Sequence, residues 1–174
     1  MSRIDIKNPY LDMQYTYDLA DLRSVDMSYE KDAEKGSIYK FILDNKDKFR
    51  YFLYMLNTCL LKFYKLDEYK VTFIAVPDEH LTDDIKEMIT NMDKNEIVDL
   101  IKYNTINKSL DLRYIQSTNI NYLPSMYLNQ TMFFSGNNGN MMLNNKAVIL
   151  EQIKLPYSTV LVADRLIFPD MLGL

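Results

Sequence analysis

Tryptophan is absent from the chain, and cysteine and histidine occur once each, as Cys59 and His80. A lone cysteine cannot close an intrachain disulfide, so stability is expected from packing and hydrogen bonds, in a reducing compartment. One cysteine and one histidine are too few for a zinc shell unless carboxylates supply most of it. An excess of positive charge is also missing: the formal net charge is −4 and the isoelectric point about 5.0. Nucleic acid and anionic membrane surfaces, which both recruit basic residues, are therefore not expected partners. Apolar runs are broken by Lys, Arg or Asp well short of the roughly 18–20 residues of a membrane span, so none is expected. The start, Met1-Ser2-Arg3-Ile4-Asp5-Ile6-Lys7-Asn8-Pro9, has neither the apolar segment nor the cleavage site of a signal peptide, and synthesis in the cytosol is expected. The sequons at Asn107 and Asn129 are accordingly read as chance matches. Glycine (4) and proline (5) are scarce, while Lys, Asn, Ile, Tyr, Phe and Met are abundant. AT-rich codons encode such a mixture, which points to a microbe, a protist or a large DNA virus.

What is present fits one globular domain with an extension. The 174 residues are 48% hydrophobic and 25% charged, enough apolar material for a core. Residues 1–35 differ from the rest: Tyr10, Tyr15, Tyr17 and Tyr29 lie among eight acidic residues, with no helical or strand period. This stretch is read as an extended arm whose tyrosines bury area on a neighbour. Residues 36–174 form the domain proper.

Gly36 ends the arm, and Ser37 is placed to cap a helix from Ile38 to about Leu43. A second helix is expected from about Asp47, because Phe49, Phe52, Leu53, Leu56, Leu60 and Phe63 recur at spacings of three and four and make one apolar stripe. Cys59 beside it reads as a small core residue. Val71-Thr72-Phe73-Ile74-Ala75-Val76 is a β-branched strand stopped at Pro77, after which Pro77-Asp78-Glu79 opens a helical turn. Ile85, Met88, Ile89 and Met92 mark the next helix; Asp93 with Glu96 starts another, with Ile97, Leu100 and Ile101 on its apolar face.

Beyond Asn104 the pattern changes to short β-forming runs. Thr131-Met132-Phe133-Phe134 precedes Gly136-Asn137-Asn138-Gly139, a hairpin signal, then Met141-Met142-Leu143 and the turn pair Asn144-Asn145. Ala147-Val148-Ile149-Leu150 and Thr159-Val160-Leu161-Val162-Ala163 complete the strands, and Leu166-Ile167-Phe168 ends at Pro169. Helices first and mainly antiparallel strands after define an α+β domain.

Two segments resemble the fasciclin-like family, over about Ser37 to Leu172. Val71 to Leu81 looks like its first motif, a strand reading Thr-Val-Phe-Ala-Pro that runs into a turn carrying an acid. Val160 to Pro169 looks like its second, a hydrophobic strand followed by Asp-Arg, aliphatic residues and Pro. The resemblance implies helices packed on a small β-sheet or wedge, and adhesive or matrix contact with other proteins. Asp164 of the second motif is expected to hold backbone or hydroxyl donors at the sheet end. The chain departs from the family at Tyr103-Asn104, where Tyr-His is usual, so an amide replaces the buried imidazole. It departs again at Gln152-Ile153, where adhesive members carry Asp-Ile, and at Pro156-Tyr157-Ser158, where an Asn-Gly turn is usual.

Chemistry is thinly represented. His80 beside Glu79 is the one general-base candidate near neutral pH, but no Gly-Xaa-Ser-Xaa-Gly elbow accompanies it. The pairs Asp78-Glu79 and Asp83-Asp84 suit the positive end of a helix dipole, and Gly136 to Gly139 lacks the Lys and Ser/Thr of a phosphate loop. No catalytic, metal or cofactor site is assigned. The expected role is a non-enzymatic interaction module: an assembly component such as a minor capsid protein of a large DNA virus, tied to capsid or matrix neighbours by its arm. The alternatives are an adhesion domain at a cell surface and a small hydrolase using His80 with Asp78, Glu79 or Asp83. The interaction candidates are Tyr10, Tyr15 and Tyr17 in the arm and Gln152, Ile153 and Tyr157 before the last strand.

Overall fold

The structure, a computed structural model, describes residues 35–59, 70–118, 121–128, 130–137 and 139–169. Tyr10, Tyr15 and Tyr17 lie outside them, as do Leu60 and Phe63 of the apolar stripe. Ser37 starts the first helix, α1 (Ile38–Asp44), its hydroxyl accepting the Lys40 N–H at 3.0 Å. The second, α2 (Arg50–Thr58), begins three residues later than the hydrophobic pattern predicts. Residues 45–49 are spent in a turn closed by Lys48 and Phe49 donating to the Asn45 carbonyl, and the cap of α2 comes from elsewhere in the chain. Phe52 of α2 meets Phe73 of β1 (Thr72–Ala75) edge to face, with centroids 5.8 Å apart. Both rings are buried, and each such burial contributes about 1.5–3 kcal/mol.

After β1 a short 3-10 turn (Asp78–His80) leads to α3 (Asp83–Asn91) and α4 (Lys94–Tyr103). Thr82 caps α3, and Asp93 and Glu96 form the reciprocal capping box expected from their spacing. Three elements follow that hydrophobic periodicity does not announce: β2 (Thr105–Ile106), α5 (Leu112–Thr118) and β3 (Tyr122–Pro124). They are short, and α5 interrupts a region that otherwise reads as strands. The remaining strands are β4 (Thr131–Asn137), β5 (Asn140–Leu143), β6 (Ala147–Lys154) and β7 (Thr159–Ala163). Gly139 sits at φ +85° in the β4–β5 hairpin, and Asn144 and Asn145 both take left-handed conformations before β6, which small polar side chains tolerate. Leu166-Ile167-Phe168 pairs with no strand; its first two residues are buried.

The seven strands form one sheet in the order β2-β1-β7-β6-β5-β4-β3. It is mainly antiparallel, with one parallel pair: β1 runs alongside β7, Thr72 opposite Thr159 and Ala75 opposite Val162. The first strand of the helical half is thereby inserted beside the last strand of the chain. Both are buried along their length, which accounts for their unbroken apolar sequences. The edges do not stay open. Ser125, just beyond β3, bridges to Ile106 of β2, and the Met126 N–H donates to the Thr105 carbonyl at 2.8 Å. The sheet curls until its two edge strands meet, leaving little unpaired backbone for edge-to-edge association.

Candidate interaction surface

The β6–β7 turn and the end of β6 carry three of the predicted interaction residues, Gln152, Ile153 and Tyr157. A hydrogen bond from the Leu155 N–H to the Ser158 carbonyl, 2.8 Å, closes the turn around Pro156 and Tyr157. Pro156 lies against Gly36: a Cβ built on that glycine would stand 2.9 Å from Pro156 Cγ, and Gly36 itself adopts φ +84°. The beginning of the domain is thus fixed on this turn. Tyr157 projects from it, 64% exposed.

Gln152 and Ile153 differ from Tyr157. Gln152 Oε1 accepts the Leu112 N–H at 2.8 Å, so this side chain caps α5. Ile153 is half-buried and packs on the core. Of the three candidates in this region, Tyr157 presents its side chain to solvent while the other two hold the surface together. The next residue, Lys154, is bonded to Asp111, and Arg113 Nη2 lies 3.6 Å from the same carboxylate. These contacts, the Lys154 hydrogen bond first, lower the Asp111 pKa to about 2. Asp111 also accepts the Arg113 N–H at 2.9 Å. That Asp two residues ahead is a readable helix-start signal, and it was the clue to α5 available in the sequence.

A cluster of hydroxyls ties the loop after β2 to this end of the sheet. Thr72 Oγ1 donates to the Lys108 carbonyl (2.6 Å) and accepts the Leu110 N–H (2.9 Å). Ser109 and Thr159 hydroxyls are 3.1 Å apart. The starts of β1 and β7, the end of β6 and the loop 107–111 therefore meet in one place.

The other conspicuous side chains are accounted for structurally. Asp78 accepts the backbone N–H groups of Arg50 (3.0 Å) and Tyr51 (3.1 Å), capping α2; burial nevertheless raises its pKa, the two hydrogen bonds opposing that shift. Both of its carboxylate oxygens are thus engaged by the start of α2. His80 Nε2 lies 3.8 Å from Glu79 Oε2 on the exposed turn, and Asp83 and Asp84 occupy the first turn of α3. Asp164 accepts the Val148 N–H at 2.8 Å, the sheet-end role expected of it. Asn104, 1% exposed, donates from Nδ2 to the carbonyls of Leu100 (2.9 Å) and Ile167 (3.1 Å), leaving Oδ1 without a partner among the described residues. The amide anchors the segment after β7. Among the described residues, no group of three or more His, Cys, Asp or Glu side chains is arranged to hold a metal ion, and no helix is long and apolar enough to cross a membrane.

Helices in the first half, packed on a curled sheet that pairs its first long strand with its last, define an α+β domain of fasciclin-like architecture. The chain is similar in structure to the FAS1 domain pair of the insect cell adhesion molecule Fasciclin I, with a TM-score of 0.50 and 16% sequence identity over 74% of this chain and 43% of that one. The likeness establishes the fold, and this chain spans less than half the length of that domain pair. No protein-family model matches the sequence, and no curated protein does.

Proposed function

We propose that the chain is a non-enzymatic, adhesion-type module that binds another protein through the end of the sheet bearing Tyr157. The observation that carries this reading is an exposed aromatic ring on a turn held from several sides, by Gly36 packing, the Leu155–Ser158 hydrogen bond and the Gln152 cap. A large side chain presented on a rigid support loses little conformational freedom on binding, the property of interface anchors. The structural likeness to a cell adhesion molecule supports the same direction.

Crosslinking mass spectrometry on the protein in its native source tests the proposal. Lys35 and Lys154 report this surface; Lys94 and Lys146 report other faces. Links to one partner from Lys35 and Lys154, lost in a Tyr157→Ala variant that folds normally, are expected. Links that come only from Lys94 and Lys146, or that survive Tyr157→Ala unchanged, would overturn it. A composition typical of AT-rich codons is compatible with one further specification, an assembly role in a virus particle, in which case the linked neighbour is an abundant capsid or matrix component.

A further inference from the structure

We propose that the partner docking at the Tyr157 end of the sheet presents an acidic peptide segment; this specifies the chemistry of the surface described above and rests on that reading. The topology collects positive charge there. Lys35 adjoins Gly36, which packs on Pro156. Lys70 precedes Val71, whose carbonyl accepts the Thr159 N–H at 3.1 Å. The Lys108 carbonyl is held by Thr72, and Arg113 and Lys154 flank Asp111. All five side chains belong to exposed residues. Among the described residues, Lys35, Lys70 and Lys108 have no carboxylate partner, whereas Arg113 and Lys154 share Asp111.

Among the described residues, negative charge at this end is sparse. Asp111 is already engaged, and Glu151 stands three residues back along β6. Of the two sequence segments that lead into these lysines, 60–69 before Lys70 carries Lys62 and Lys65 against Asp67 and Glu68, whereas 1–34 before Lys35 has an excess of acidic residues. The local excess stands out because residues 35–174 balance in charge, the net −4 of the chain being carried by residues 1–34. Such a field steers an acidic group inward and repels like-charged surfaces. A long phosphate polymer would run beyond this end onto a domain whose charges balance, whereas a short acidic segment is matched by what is here. Tyr157 and Tyr114, two residues beyond Leu112, are both exposed and supply aromatic contact beside the cations.

The test uses the full chain, labelled with nitrogen-15, and a decapeptide alternating Asp and Tyr. Controls are the Asn-Tyr counterpart and an oligouridylate of equal charge. The Asp peptide is expected to shift amides in 108–114 and 154–158, with affinity falling several-fold as salt rises from about 50 to about 200 mM. Lys70→Glu/Lys108→Glu should weaken binding about fivefold or more, while Lys94→Glu/Lys146→Glu, made elsewhere on the surface, leaves it unchanged. Equal binding of the Asn peptide or oligouridylate, no binding of the Asp peptide, or indifference to Lys70→Glu/Lys108→Glu would overturn the inference. So would a zero-length carbodiimide crosslink joining Lys70 or Lys108 to a carboxylate of residues 1–34, since this chain's own acidic segment would then be the occupant. Native crosslinks that are lost in Tyr157→Ala but survive Lys70→Glu/Lys108→Glu would refute the acidic partner and leave the binding surface standing.

Discussion

Asp78 and Tyr51 are separated by 27 positions in the chain, yet Asp78 Oδ1 accepts the Tyr51 backbone N–H at 3.1 Å. With its second oxygen on the Arg50 N–H, Asp78 does for α2 what a local cap residue does elsewhere, because Phe49 at the helix start makes no side-chain cap. The Asp78 N–H in turn donates to the Lys48 carbonyl at 2.9 Å, so the turn after β1 and the start of α2 are held by three bonds.

Asp78→Ala is expected to destabilise the fold by about 1 kcal/mol, the usual cost of removing a helix cap. Urea unfolding measures it. Because burial raises the folded-state pKa of Asp78 above its ordinary value, the native state holds the proton more tightly than the unfolded chain. The contribution from this ionisation is present below the unfolded pKa and is lost as pH rises through the folded one. Asp78→Asn removes that dependence, so the stability difference between wild type and this variant should move against the wild type as pH rises above about 4.

Asp111 behaves in the opposite sense. Its pKa is lowered to about 2, chiefly by the Lys154 hydrogen bond, so its contribution is present above the unfolded value and is lost as pH falls towards about 2. Carboxyl carbon NMR on the wild type and on Lys154→Met tests the cause. In the variant Asp111 should titrate closer to the ordinary range; an unchanged titration would remove Lys154 from the explanation.

Gly36→Ala meets two obstacles, a φ of +84° and Pro156 Cγ at 2.9 Å from the new methyl carbon. The left-handed backbone alone costs about 1–2 kcal/mol. Thermal melts should show a smaller loss when the same substitution is made in a Pro156→Ala background, since the steric part is then relieved and the conformational part remains. Equal losses in both backgrounds would mean that the glycine is needed for its backbone alone.

Asn104→Ala should cost about 1–3 kcal/mol, because the Ile167 carbonyl loses the amide donor that reaches it from α4. Hydrogen exchange at residues 166–168 should rise in the same variant. A loss of stability with no change in that exchange would place the effect in the cavity instead of the anchor.

Much of this architecture is written locally. Ser37, Asp93 and Glu96 occupy the cap positions that their spacing implies, Gly139 takes the positive φ a two-residue hairpin loop requires, and the β-branched run around Phe73 forms a buried strand. Local signals of this kind depend on backbone sterics and on neighbours three or four residues away, so they survive without knowledge of the rest. The elements that escaped are those whose partners are remote. Strand β2 is two residues long and exists through its pairing with β1. Helix α5 has a local start signal in Asp111 but its first N–H is held by Gln152, 40 positions on, and α2 begins where Asp78 meets its first N–H groups.

The candidate surface divides along the same line. The sequence by itself determined the apolar runs, the caps and turns, the single histidine and cysteine, and the negative balance of the whole chain. Tertiary structure alone decided that Gln152 holds a helix, that Ile153 packs inward, that Tyr157 faces solvent beside the anchored Gly36, and that Lys35, Lys70, Lys108, Arg113 and Lys154 come to one end of a sheet. The physical reason is that exposure and charge density are properties of juxtaposition. They arise when β1 is laid parallel to β7 and the edges of the sheet are drawn together, a pairing between residues far apart in the chain that no local pattern encodes.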